Sequence, residues 1–308
     1  MINLIKEDLE KLDITFDSWF SQKEIIEKEK VGQAIESLKK KGLIYEKEGA
    51  VWFVSTKLGD DKDRVVKKAD GELTYFASDI AYHKDKAQRG FDELINLWGP
   101  DHHGYIKRVK TAISALGYSE EILKIIIIQL VTLKTKERMS KRAGTFIGLE
   151  ELINNVGKDA TRFYYLTRKN SSHLEFDIDL AKEASFDNPL YYIQYVCARI
   201  ESIFKKAAPL SGEAKFSHLL KEKEELNLLR TLLQLSYCLE KTYYSLEPVF
   251  IIEFLRNLAA QFHKFYENVR VIESDENLTQ ARLSLLGGVK VVFHCGLTLL
   301  GITPVEQM

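Results

Sequence analysis

Three short stretches carry side chains suited to chemistry. The first, Lys136-Glu137-Arg138-Met139-Ser140-Lys141-Arg142-Ala143-Gly144, is a cationic loop with a hydroxyl and a glycine hinge, and it follows the apolar run Ile125 to Val131. Four consecutive isoleucines predict an interior strand of a parallel sheet, and open α/β sheets bind ligands at the carboxyl ends of such strands. Lys141, Arg142 and Ser140 there suit phosphates whose charge changes during reaction, as in a nucleotide. Most Lys/Arg clusters are solvated surface, so spacing alone leaves both readings open.

The second stretch holds Tyr75 and Asp79, four residues apart, where Ser78-Asp79 reads as the opening of a helix. A phenol and a carboxylate on one helical face suit a cation, above all a guanidinium fork; a capping Asp beside a packed Tyr explains the same residues. The third, Gly99-Pro100-Asp101-His102-His103-Gly104, ends the strand-like segment Glu93 to Trp98. A Gly-Pro turn with Asp101 as helix cap accounts for it. Adjacent histidines diverge and no third ligand lies nearby, so a protein-bound metal is not expected.

The elements that must position these residues follow from periodicity. Apolar spacing predicts helices over Ile2 to Leu12 and Lys23 to Lys41, the latter closed by Gly42. Leu43 to Val54 reads as a hairpin, and Arg64–Lys67 with Leu73–Phe76 as a second hairpin around Ala69-Asp70-Gly71-Glu72. Ile106, Val109, Ile113 and Leu116 share a helical face that Gly117 ends. Strand, loop, helix, strand and basic loop together make an α/β unit, one half of a doubly wound nucleotide-binding fold with a helix-hairpin insertion. Beyond Asp179 strand-like segments vanish. Helices are predicted from Asn188-Pro189 to about Lys206, then over Leu219–Tyr237, Leu246–Val271 and Leu278–Leu300, an all-α bundle from about residue 183. The expected division is therefore 1–182 and 183–308.

At 308 residues the chain is long enough for two cores. Its net charge of −1 excludes a generally basic nucleic-acid binder, yet Gly104 to Arg142 holds nine Lys/Arg against three Glu, a local patch able to meet phosphates. Cys197, Cys238 and Cys295 are odd in number, far apart and within helical sequence, which predicts buried free thiols in a reducing cytosol. No basic-then-apolar leader is present, and no apolar run approaches the roughly 18 residues of a membrane span. Tyr191, Tyr192, Tyr195, Phe262, Phe265 and Tyr266 are core at helical spacing or, if exposed, platforms for single-stranded bases.

Arg138-Met139-Ser140-Lys141-Arg142 resembles the KMSKS signature of class I aminoacyl-tRNA synthetases, with Arg138 where many members carry lysine. Leu149-Glu150-Glu151-Leu152-Ile153, Tyr75 to Tyr82, Asn188 to Arg199 and the ending Leu299 to Met308 are similar to the bacterial-type arginyl-tRNA synthetases, and the likeness runs over essentially the whole chain. It implies a partial Rossmann catalytic domain and a helical anticodon-binding domain. Lys141, with Ser140, Met139 and Arg138, would then serve the transferring phosphates. Gly99, Asp101, His102 and Lys141 would bind ATP, and Tyr75 and Asp79 arginine. Tyr192, Tyr195, Tyr266 and Met308 would face the anticodon loop. The partners implied are ATP with Mg2+, L-arginine and arginine tRNA.

Two departures accompany the resemblance. Gln22 stands where the family usually has Glu, and a neutral amide does not balance a guanidinium, so it is not taken as a ligand. None of the seven histidines begins the H-x-G-H string of the HIGH signature. The expectation is a carboxyl-terminal portion that binds tRNA and is inactive alone, or alternatively a free-standing tRNA-binding or regulatory module. A cytoplasmic monomer with no membrane partner is expected.

Overall fold

The computed structural model describes residues 2–27, 29–134, 147–207 and 216–307. They form two compact units, 16–130 and 1–15 with 131–308. Helix α1 (Ile2–Glu10) opens the chain and belongs to the second of these.

Unit 16–130 begins with α2 (Gln22–Glu27) and α3 (Lys30–Lys40). The sequence predicts one continuous helix here; the backbone breaks between them, with Glu29 in the left-handed region at φ 53°. Gly42 ends α3 as expected, at φ 68°. Strands β1 (Ile44–Lys47), β2 (Ala50–Phe53) and β3 (Arg64–Lys67) form an antiparallel sheet in that order. The second hairpin therefore does not form as expected. β3 pairs with β2, and of the segment 73–76 only Leu73 bridges back, to Lys67. Its remainder becomes α4 (Tyr75–Gln88).

β4 (Leu94–Trp98), α5 (Ile106–Leu116) and β5 (Leu123–Ile127) make the predicted parallel βαβ unit, in register from Leu94 opposite Leu123 to Trp98 opposite Ile127. Gly117 closes α5 at φ 101°, a conformation costly for any residue with a Cβ. Leu94, Val109, Ile113 and Leu123 bury the helix against the strands. The isoleucine run is not one enclosed strand. β5 stops at Ile127, its isoleucines are half-buried, and Val131 starts a different strand. A sheet two strands wide cannot cover both faces, and Leu97 is 66% exposed.

The other unit contains β6 (Val131–Leu133), α6 (Leu149–Val156), α7 (Lys158–Tyr165), β7 (Leu174–Phe176), α8 (Ile178–Lys182) and α9 (Pro189–Lys206). β6 and β7 pair in parallel. Then come α10 (Lys223–Leu233), α11 (Leu235–Ser245), α12 (Val249–Asn268) and α13 (Glu276–Leu299). The predicted helix Leu219–Tyr237 is thus two helices meeting at Gln234. Phe163, Phe176, Phe262, Phe265 and Phe293 are fully buried at the centre of one continuous core.

Buried polar groups tie this core together. Asn188 caps α9: its Oδ1 accepts from the backbone N–H of Leu190 (3.0 Å) and from the Tyr164 hydroxyl (3.2 Å), while its Nδ2 donates to the carbonyls of Ala181 (3.2 Å) and Glu183 (2.9 Å). Arg282 of α13 donates to buried Glu225 of α10 at 2.7 Å. Arg162 donates to the carbonyls of Leu12 (2.6 Å) and Leu300 (3.1 Å), joining residues 150 and 138 positions apart. Gly301, at φ 69°, lies so close that a Cβ there would collide with the Arg162 guanidinium. By length and composition α13 is apolar enough to cross a bilayer, a property the sequence reading missed. Here Leu283, Leu286, Val289, Phe293 and Leu297 bury its face in protein. Cys197 and Cys238 are buried free thiols, whereas Cys295, on the outer face of α13, is exposed against expectation.

Candidate functional site

In unit 16–130 two chain segments converge on Asp79. The first is α4, which Thr74 starts: its Oγ1 accepts from Ala77 N at 3.3 Å and donates to Val65 O on β3 at 3.0 Å. The helix thus opens at Tyr75 and not at Ser78-Asp79, and Asp79 is one turn inside it, so capping does not explain this carboxylate. Tyr75, four residues earlier on the same face, is 82% exposed.

The second segment is a tight 3₁₀ turn, Pro100–Tyr105, that leaves the carboxyl end of β4 after Gly99. Asp101 is exposed there and does not cap the turn. Gly99 has ordinary extended dihedrals, and among the described residues no atom lies within 4 Å of where its Cβ would be, so their packing does not demand glycine. The turn packs His102 and Tyr105 at a tilt against Trp98, with ring centroids 5.8 and 5.9 Å away. From it the Tyr105 hydroxyl donates to Asp79 Oδ2 at 2.6 Å.

Burial pushes the Asp79 carboxyl above its ordinary range, against the Tyr105 hydrogen bond and the nearby His102 and Lys86, which favour the anion. The Tyr105 phenol is pushed up in turn, by burial and then by Asp79. A carboxylate has about four acceptor positions, so Tyr105 leaves capacity for a cationic fork. Tyr105 is the member that sequence reasoning missed. A lone tyrosine 26 residues from its partner carries no local signal. Among the described residues no group of three His, Cys, Asp or Glu is placed to hold a metal ion.

A second cluster lies in the other unit. Tyr192, Tyr195 and the 54% exposed Phe186 surround His263, whose ring centroid is 4.4 Å from that of Tyr192 and 5.1 Å from that of Phe186. The Arg199 guanidinium lies 5.1 Å from the ring centroids of both Tyr195 and Tyr266. Tyr266, 37% exposed, also stacks on buried Phe262. A concavity of about 660 Å³ opens beside it, lined in part by Arg199, Lys206 and Arg270. The three predicted tyrosines are brought together, each partly packed and partly accessible. Arg199 and His263 were not anticipated; both lie a helical turn from a singled-out tyrosine. Arg138, Met139, Ser140, Lys141 and Met308 lie outside the described residues.

A βαβ unit with its polar turn at the strand end, followed by a helical bundle, matches two family models. Residues 1–180 match the class I tRNA synthetase (R) catalytic domain and residues 193–308 the DALR anticodon binding domain, which places the chain among the class I aminoacyl-tRNA synthetases. It is 47% identical to the arginine–tRNA ligase of Desulfosudis oleivorans, over 99% of this chain and 56% of that protein, and 44% identical to that of Aquifex aeolicus, over 100% and 54%. A crystal structure from Campylobacter jejuni, assigned to the arginyl-tRNA synthetases, superposes with a TM-score of 0.88 at 37% identity, covering all of this chain and 68% of that one. The arginyl-tRNA synthetase of Thermus thermophilus shares the fold at a TM-score of 0.82 and 20% identity, over 98% and 62%. The chain belongs to the arginyl-tRNA synthetase family, of the bacterial type. It spans a little over half the length of its curated relatives.

Proposed function

We propose that this chain supplies the adenosine, arginine and anticodon contacts of an arginine–tRNA ligase, which consumes ATP to attach arginine to its tRNA. The observation that carries the reading is the convergence of the β4-end turn on Asp79, through a 2.6 Å bond from Tyr105. It supports the reading because a carboxylate suited to a guanidinium then stands near the strand end where α/β sheets receive nucleotides. Asp79 pairs with the arginine side chain while Tyr75 covers it. Gly99, Asp101 and His102 hold adenosine, with ATP entering as its magnesium salt and no metal bound by protein ligands alone. Lys141, with Ser140, Met139 and Arg138, meets the phosphates. Catalysis on this reading is positioning and charge stabilisation, without a covalent protein intermediate.

Residues 1–182 serve this chemistry and 183–308 grip the anticodon loop, where Tyr192, Tyr195 and Tyr266 present faces for bases; Met308 is assigned to the same role by the family resemblance alone. The setting is the cytoplasm, and the chain acts as a monomer. The test pairs two measurements on the 308-residue chain. We expect it to bind arginine tRNA while giving no arginine-dependent pyrophosphate exchange, and exchange to appear once the remaining amino-terminal part of a relative is joined to it. Exchange by the chain alone would overturn the division of labour. Binding of tRNA with no exchange in the joined protein would favour a tRNA-binding module without catalysis.

A further inference from the structure

Asn96 is a polar residue where a core strand calls for Leu or Ile. It lies on the buried face of β4 with Leu94, and it is 6% exposed. An amide there costs free energy unless every donor and acceptor is used. Both of its polar atoms find a partner, in a directional order. The Asp79 carbonyl can only accept, so His83 Nδ1, 2.8 Å away, carries the proton. Nε2 is then a lone pair and accepts from Asn96 Nδ2 at 2.8 Å. That fixes Asn96 Oδ1 as the acceptor for the Lys86 ammonium, which also lies 4.8 Å from the Tyr82 ring centroid. Turning the amide over would set Nδ2 against the ammonium, donor against donor.

We propose that Lys86, acting through Asn96 and His83, is a positioning residue for Asp79. The chain bolts α4, which carries Asp79, to β4, whose end carries the turn with His102 and Tyr105. It thereby sets the spacing across which Tyr105 reaches the carboxylate. The inference rests on the reading of Asp79 as the guanidinium partner, and it adds three residues that touch neither ligand. The groups facing Asp79 are Tyr105, His102 and Lys86; those facing His83 are Asn96, Lys86 and the Asp79 carbonyl; Arg89 also repels Lys86. Consistent with a locked neutral ring, burial and then the Lys86 charge lower His83 to about 4.

The test is NMR on the full chain with labelled histidine and aspartate, followed by titration with free arginine. In the native chain His83 is expected as the single Nδ1–H tautomer at neutral pH. Asn96→Asp keeps the shape but cannot donate to Nε2, so His83 should become imidazolium at neutral pH; a merely structural amide would not move its protonation. Lys86→Met should raise the Asp79 carboxyl titration and weaken arginine binding roughly fivefold, because the loss of the carboxylate's placement outweighs the removal of a like charge from a guanidinium site. Lys86→Arg should restore most of that binding, with circular dichroism native-like throughout. An Nε2–H tautomer in the native chain, or a Lys86→Met variant whose His83 and Asp79 signals are unchanged, overturns the proposal. If those signals respond as expected and no form binds arginine, the positioning chain stands and the guanidinium reading of Asp79 fails.

Discussion

Replacing Gly301 by alanine should cost far more than one methyl group. Its φ of 69° is in the left-handed region, where a Cβ costs about 1–2 kcal/mol; alanine's stiffer unfolded chain returns somewhat under 1. The net backbone cost is about 1 kcal/mol. The new Cβ would also occupy the space of the Arg162 guanidinium, which must withdraw from Leu300 O, Leu12 O or both. Losing one hydrogen bond from a charged donor costs about 2 kcal/mol. We expect Gly301→Ala to destabilise its unit by about 3 kcal/mol, roughly 6–12 °C for a unit of this size. Urea denaturation followed by far-ultraviolet circular dichroism reads it, since this unit is mostly helical. In the background Arg162→Ala the glycine substitution should cost only about 1 kcal/mol, because the obstacle is gone. Equal costs in both backgrounds would refute the steric argument, as would a cost below about 1 kcal/mol in the native background.

Other substitutions probe the sites. Asp79→Asn should abolish arginine binding by at least about a hundredfold in calorimetry, since it removes one partner of a charge pair. It should also stabilise unit 16–130 at neutral pH. Burial raises the Asp79 carboxyl, so the folded chain holds a proton over a range where the unfolded chain has lost it, and ionisation above that range costs stability. The advantage of Asn should therefore shrink as pH falls toward the ordinary carboxylate value of 3.8, followed by tryptophan fluorescence, because Trp19, Trp52 and Trp98 all lie in that unit. Tyr192→Ala should weaken arginine tRNA binding about tenfold in filter binding while leaving the melting transition in place; unchanged affinity would remove the stacking role. Asn188→Ala should cost about 3 kcal/mol in urea titration, because the cap is lost and Tyr164 and two carbonyls lose their partner.

What the sequence disclosed was local in character. Gly42 and Gly117 ended their helices because their φ angles are positive, and Asn188-Pro189 opened α9 because side chain and ring meet the needs of its first turn. The βαβ order was equally legible, since β4, α5 and β5 each carry their own periodicity. Contacts between distant segments were not. β3 chose β2 over the nearer segment because Thr74 drew the next residues into a helix, and a two-stranded sheet left the isoleucines half-covered. Tyr105 gave no sign of its attachment to Asp79, and Asn96 drew no attention within its strand because its partners, His83 and Lys86, lie on a different element.

The Arg162 clasp bears on the order in which the molecule is finished during synthesis. Its acceptor at Leu12 leaves the ribosome about 150 residues ahead of Arg162, and the one at Leu300 follows 138 residues behind it. At a translation rate of about 5–20 residues per second, the opening segment waits on the order of ten to thirty seconds for its anchor and about as long again for the knot to be tied. Residues 16–130 emerge complete within that interval, so the nested unit has time to close first while Leu12 remains unclaimed. A nascent chain halted before Leu300 should yield a protease-resistant core from residues 16–130, with the helix Ile2–Glu10 still open to cleavage.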